Sequence, residues 1–196
     1  MNDDPELPAL YTSLCNAAAE TVRVVRGVRD DPAVLGAATP SAEWDLRTVV
    51  NHLILWTAHN FALRAEGDAV PAEWYERDFT AEPGWADAYA EQVDKALAAW
   101  SEPAVWEREM PMGDSVVPAA AIAGMVLVEY ALHGWEAARG SGGSYRLDEA
   151  TSAAVLDQVE QWAEMFRRYD GFAASVPIPD DAPAFDRALA LSGRKV

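Results

Sequence analysis

With a single cysteine, Cys15, among 196 residues, the chain can form neither an internal disulfide nor a multi-cysteine zinc site. Basic residues are scarce as well. Fifteen Lys and Arg stand against 32 Asp and Glu, a formal charge of −17. A nucleic-acid binder needs clustered cations to displace condensed counterions, and no Lys/Arg run supplies them, which argues against nucleic acid and anionic lipid as partners. Long apolar stretches are missing too. The longest uncharged run, from Ser115 to Val128, contains Pro118 and falls short of the roughly 20 residues that a membrane span requires. The opening Met1-Asn2-Asp3-Asp4-Pro5-Glu6 has neither the basic residues nor the apolar stretch of a secretory signal, so the expected location is the cytoplasm. What is present is an ordinary globular composition, 51% hydrophobic and 24% charged, at a length that suits one domain over 1–196.

The periodicity is helical almost throughout. Leu7, Leu10, Leu14, Ala17, Thr21, Val24 and Val28 step by three and four, predicting a first helix that ends before Asp30-Asp31-Pro32 and a loop with Gly36 and Pro40. A second helix starts at the N-cap Asp45, presents Val49, His52, Trp56, His59 and Leu63 along one stripe, and stops at Gly67. A third carries Trp85, Tyr89, Val93, Leu97 and Trp100 and ends before Pro103. Between Val105 and Val117, Pro111 and Gly113-Asp114 suit an irregular connection or a small hairpin. The fourth helix opens at Pro118 and runs to about Arg139, where Gly140-Ser141-Gly142-Gly143 turns the chain. A fifth, with Val155, Val159, Trp162, Phe166 and Tyr169, precedes a proline-rich tail and a short helix near Asp186–Leu191. The expected fold class is all-α: a four-helix bundle with an additional C-terminal helix and extended tail over about 147–196.

Glu129 is the only charged residue between Ser115 and Trp135. A carboxylate in so apolar a helix must be paired, hydrogen-bonded or bound to a metal, because unpaired burial costs several kcal/mol. His133 lies four residues on, one turn away on the same face, a spacing by which one helix donates two ligands to one ion. His52, on the core-facing stripe of the second helix, completes a two-histidine, one-carboxylate set that binds a divalent metal and leaves positions open. The same spacing also fits a bland arrangement, with Glu129 and His133 as a local pair and His52 bonded to a backbone carbonyl. His59 is two turns beyond His52, about 10 Å along a straight helix, too far for a mononuclear site. It is either a core histidine or a proton donor or acceptor lining the pocket. Cys15 reads as a small core residue, since no adjacent base lowers its pKa. Of the eight tryptophans, Trp44, Trp56, Trp100 and Trp135 read as packing residues, some of them walling the site.

Two segments carry a resemblance to a known family. Trp44-Asp45-Leu46-Arg47-Thr48-Val49-Val50-Asn51-His52-Leu53 resembles the W-x-V-x-D-L-x-x-H-L segment of DinB-like metal-binding proteins, in particular the metal-binding domain of mycothiol-dependent maleylpyruvate isomerases. Glu129-Tyr130-Ala131-Leu132-His133-Gly134-Trp135-Glu136-Ala137-Ala138-Arg139-Gly140 resembles that family's E-x-x-x-H-G-W-D-L-A-x-A-x-G, with Glu136 where the family has Asp. The closing Asp186-Arg187-Ala188-Leu189-Ala190-Leu191-Ser192-Gly193-Arg194 is similar to the D-R-L-L-A-x-x-G-R of an actinobacterial-type branch. The resemblance implies a DinB-like bundle in which His52, Glu129 and His133 ligate one divalent metal, zinc in preference to nickel or iron. It further implies a transferase or isomerase that uses mycothiol as cosubstrate against an electrophilic small molecule, through a zinc-stabilised thiolate. With so little cysteine in the chain, the thiol must arrive from outside. Two alternatives stay open: a zinc-dependent hydrolase that activates water at the same ligands, and a non-catalytic metal- or ligand-binding protein, with a homodimer as one form.

Overall fold

The computed structural model describes residues 7–41 and 43–196. Helix α1 (Ala9–Gly27) follows the predicted apolar spacing. The expected loop after it contains a single-turn helix, α2 (Pro32–Leu35), which begins where the Asp31 carboxylate accepts the Ala33 amide at 2.8 Å. Asp45 caps α3 (Leu46–Leu53) in the same way, taking the Thr48 amide at 2.8 Å.

The second helix departs from expectation in its middle. After α3 the chain widens into a π-helical stretch, Ile54–Asn60, before α4 (Phe61–Glu66) ends on Gly67 at φ +89°. A π turn shifts the backbone hydrogen bonds from i→i+4 to i→i+5 and disturbs the α-helical pairing of its carbonyls. Side chains supply donors here. The Thr57 hydroxyl donates to the Leu53 carbonyl at 2.7 Å, Tyr130 to the Thr57 carbonyl at 2.7 Å, and the Trp100 indole to the Phe61 carbonyl at 2.7 Å. Burial holds the Tyr130 hydroxyl in its protonated, donating form.

Helix α5 (Trp85–Trp100) and the short α6 (Pro103–Trp106) lead to an antiparallel hairpin, β1 (Glu109–Met112) and β2 (Ser115–Pro118), with Glu109 opposite Pro118 and Met112 opposite Ser115. Gly113 sits at φ +57° in its two-residue loop, the glycine-first pattern of a type II′ turn. Helix α7 (Ala119–Gly140) follows, then α8 (Glu149–Arg168), capped by Asp148, and α9 (Ala184–Leu191).

The bundle is built around α7, the least polar helix, which packs against α1, α3 and α8. Gly134 permits the close approach of α1. A Cβ there would lie 2.6 Å from the Thr21 hydroxyl oxygen and 2.6 Å from the Tyr145 ring. Helix α5 closes the bundle against α1 and α4, while α9 lies on α8, so the last segment of the chain is held beside α7. Leu14, Leu46, Leu53, Tyr89, Trp100, Leu127 and Leu132 are among the fully buried side chains between these helices.

Candidate metal centre

Helices α3 and α7 cross with His52 facing Glu129. The His52 Nε2–H donates to Glu129 Oε2 at 2.6 Å, and His133 Nε2 lies 3.4 Å from the same oxygen. One ligand atom from each of the three residues falls within 4.8 Å of the other two. Zinc bonds of about 2.0–2.1 Å would place donor atoms of a tetrahedral site roughly 3.3 Å apart. The three donors therefore fit a divalent cation, with the 2.6 Å hydrogen bond as the contact an ion would replace. The bland arrangement fails in one particular: His52 meets Glu129 and leaves the carbonyl partner it was assigned unused.

Charge states favour the same use. Burial alone would raise the Glu129 carboxyl, yet the two imidazoles beside it, the His52 hydrogen bond and Arg194 outweigh burial and hold it at about 2. Burial lowers the His52 pKa, ahead of the opposing attraction of Glu129. At neutral pH the pair is an anionic carboxylate and a neutral imidazole, the states that ligate metals.

A second carboxylate supports the first group. Glu136, 1% exposed, accepts from His133 Nδ1 at 2.7 Å through one oxygen and from Arg194 Nε at 2.8 Å through the other. Burial disfavours the Glu136 anion, but His133 and Arg194 keep its pKa below the ordinary carboxylate range. Because Nδ1 carries the proton that Glu136 accepts, the lone pair of His133 Nε2 faces Glu129, the tautomer that a ligating histidine needs. Arg194 reaches this position through the end of α9. Gly193, at φ +89°, and Arg194 return their amides to the Ala190 and Leu189 carbonyls at 3.0 and 2.9 Å, a Schellman turn. Glu136, which the sequence marks only as standing where the family has Asp, is thus a buried support for His133. The signal was available in the i,i+3 spacing of His133 and Glu136, whereas the Arg194 contact spans 58 positions.

Trp44, just before the Asp45 cap, covers the group from one side, its ring stacked at 5.3 Å and 23° on His133 and tilted at 4.9 Å over His52. Trp56 approaches His52 at 6.1 Å. Trp100 and Trp135 are buried packing residues as expected. Cys15 is partly buried on α1, and burial raises its thiol, which disfavours the thiolate.

His59 does not join the group. On a straight α-helix at about 100° per residue, seven steps return nearly to the starting face. The wider π turn rotates each residue through less, so His59 emerges elsewhere. It stacks on Phe79 at 5.3 Å and meets Trp74 at 4.9 Å, lining a separate cavity of about 280 Å³ with Arg77, Glu82 and Lys95. The structure thus places His59 in a cavity apart from the three donors.

Among the described residues, three cavities touch the candidate centre, one of about 190 Å³ at His52 alone and two at both His52 and Glu129. Of these two, one, about 240 Å³, is bordered by Ser41, Glu43, Asp170 and Arg194 as well as the three donors. The other, about 460 Å³, meets the centre at His52 and Glu129.

No family model matches the sequence, and no curated protein does. Among solved structures, the chain is similar to a mycothiol-dependent maleylpyruvate isomerase, with a TM-score of 0.62 over 81% of this chain and 72% of that one. The chain has the all-α, DinB-like fold. At 15% identity the relationship is one of fold. No helix among the described residues is long and apolar enough to cross a membrane.

Proposed function

We propose that the protein is a cytoplasmic, metal-dependent transferase or isomerase that uses a small-molecule thiol of the mycothiol type, with His52, Glu129 and His133 holding zinc. The observation that carries this reading is the convergence of the three donors, with His133 fixed in its ligating tautomer by the buried Glu136–Arg194 pair. The neighbour's dependence on mycothiol supports the thiol. Zinc at these donors supplies Lewis acidity that lowers the pKa of a thiol bound beside it towards neutrality.

The chain's own residues do the rest. Glu136 accepts the His133 Nδ1 proton and keeps that ring from turning, and Arg194 balances the buried negative charge. Trp44 covers the two imidazoles and keeps water from one side of the site. The cavity bordered by Ser41, Glu43, Asp170 and Arg194 offers hydrogen-bonding groups of both signs, which suits a polyhydroxylated thiol better than an apolar one. Holding the sulfur and its target together replaces a bimolecular encounter by an oriented one.

Incubation of zinc-loaded protein with mycothiol and a panel of electrophiles, with and without a chelator, tests this reading. The expected result, abolished by chelation, is either loss of free thiol with appearance of a thioether or an isomerised product with the thiol regenerated. Absence of any metal-dependent thiol chemistry across the panel would sink it, and thiol-independent turnover of esters or amides would transfer the site to hydrolysis.

A further inference from the structure

The larger cavity beside the candidate centre has a chemical character of its own. It shares His52, Glu129 and Phe166 with the cavity of about 240 Å³, so the two meet at the donors and at one aromatic ring. Beyond that junction its wall is made by Trp56, Met112, Ile122, Met125 and Tyr169. Asn60 and Arg64 add polar side chains to it, beside the phenol hydroxyl of Tyr169 and the indole N–H of Trp56, and the Arg64 guanidinium is engaged with the Pro111 carbonyl. Ligand cavities of about 300–1,000 Å³ hold small organic molecules, and the roughly 460 Å³ here lies within that range.

Three features of the chain combine to shape this wall. The π turn is the first. In a regular α-helix, residues four apart drift steadily around the axis, by about 40° at each step. The smaller rotation through Ile54–Asn60 opposes the drift, and His52, Trp56, Asn60 and Arg64 all border the one cavity. Secondly, the hairpin brings Met112 to the same cavity as Met125 of α7, and unbranched thioethers adapt to aromatic or aliphatic ligands of varied outline. Thirdly, Tyr169 at the end of α8 is 76% exposed, the most exposed large apolar side chain among the described residues. Its ring stands at the cavity and would be covered by an apolar occupant.

We infer that this cavity is the acceptor subsite and that it takes a bulky, predominantly apolar electrophile, aromatic or alkyl, with its reactive end at His52 and Glu129. A small dicarboxylate is disfavoured there. Two carboxylates would face Glu129 and a predominantly apolar wall, with one guanidinium to receive them, and an unpaired buried charge loses several kcal/mol of solvation. The division of labour is then spatial: the thiol enters on the side of Glu43, Asp170 and Arg194, and the acceptor on the side of the methionines.

The assignment of the acceptor rests on the reading of the metal centre, but the apolar subsite is measurable without turnover. Zinc-loaded full-length protein is titrated with N-phenyl-1-naphthylamine, a neutral apolar fluorophore, and maleate is added as the dicarboxylate competitor. Saturable fluorescence enhancement is expected, with maleate failing to displace the dye. Met125→Glu places a charge in the wall and should weaken dye binding by about tenfold or more. Met112→Ala should weaken it several-fold, and zinc content and helical circular dichroism should remain as in the parent for both. Should Met125→Glu lose helicity, Met112→Ala and Tyr169→Ala carry the test. Undiminished dye binding in the folded variants, or displacement by maleate, would overturn the subsite. Loss of the metal reading looks different: zinc content would then be indifferent to His52 and Glu129 while the dye still bound.

Discussion

His52 and His59 stand seven residues apart on what the sequence presents as one helical stripe, and they end in different surroundings. His52 meets an anionic carboxylate, a second imidazole and two tryptophan rings. His59 sits between Phe79 and Trp74, with Arg77 and Lys95 as neighbouring cations. Both are lowered from the ordinary histidine pKa with burial as the leading cause, so desolvation alone does not separate a candidate ligand from a packing residue. The distinction is the convergence of other donors. A histidine becomes useful to a metal when a carboxylate and a second imidazole share its small volume and when another group fixes its tautomer.

The sharpest way to break this comparison is to remove one histidine at a time. Glu129→Gln and His52→Ala should each lower zinc affinity by more than the roughly 100-fold upper range for loss of an outer partner. His59→Ala should leave it unchanged. Elemental analysis of protein purified without metal-affinity resin, followed by chelator competition, reads all three. Equal metal content throughout would erase the contrast.

Glu136→Gln should have the next largest effect. It keeps the side chain's shape but offers His133 Nδ1–H a neutral acceptor and leaves Arg194 without its anion, so zinc affinity should fall by about 10–100-fold. The metal-free variant should also melt at a lower temperature than the parent, because a buried guanidinium has lost its counter-charge. An affinity indistinguishable from the parent's would show that the His133 orientation is set by α7 and Trp44 alone.

The smallest expected effect belongs to His59 and appears in the pH dependence of stability. Its pKa is lowered by burial first, then by Arg77 and Lys95, so the unfolded chain binds the proton more readily than the folded one. The stability contributed by the neutral ring is complete above about pH 6.5. It falls away as the pH drops below that value and through the lower folded pKa. His59→Phe retains an aromatic ring against Phe79 and Trp74 but cannot titrate, and thermal melts of metal-free protein between pH 7 and 5 should show a shallower acid-side decline. A slope equal to the parent's would mean that His52 and other groups carry the acid sensitivity.

Much of the bundle was legible in advance because its signals are local. Asp45 and Asp148 cap helices by bonding amides three residues away, and the apolar steps of α1, α5 and α8 lie within single segments. The Glu129–His133 pair was legible for the same reason, since four residues make one turn. The π turn was not. The Thr57 carbonyl within it receives a donor from Tyr130, 73 positions away on α7, and the Phe61 carbonyl just after it one from Trp100, 39 positions away on α5. An α-helical period drawn through Ile54–Asn60 therefore carried His59 to a face it does not occupy.

The amino-acid sequence by itself determined the helices, the caps, the hairpin glycine, and the placement of one carboxylate and one histidine a turn apart in the least polar segment. Those features depend on neighbours within a few residues, which the chain specifies wherever it folds. Tertiary structure alone decided that His52 would meet Glu129, that Glu136 would be a buried support for His133, and that Arg194 would return from the end of the chain to balance it. Each of these is an encounter between helices in a low-dielectric interior, where an ion is stable only if a distant partner arrives to pair with it.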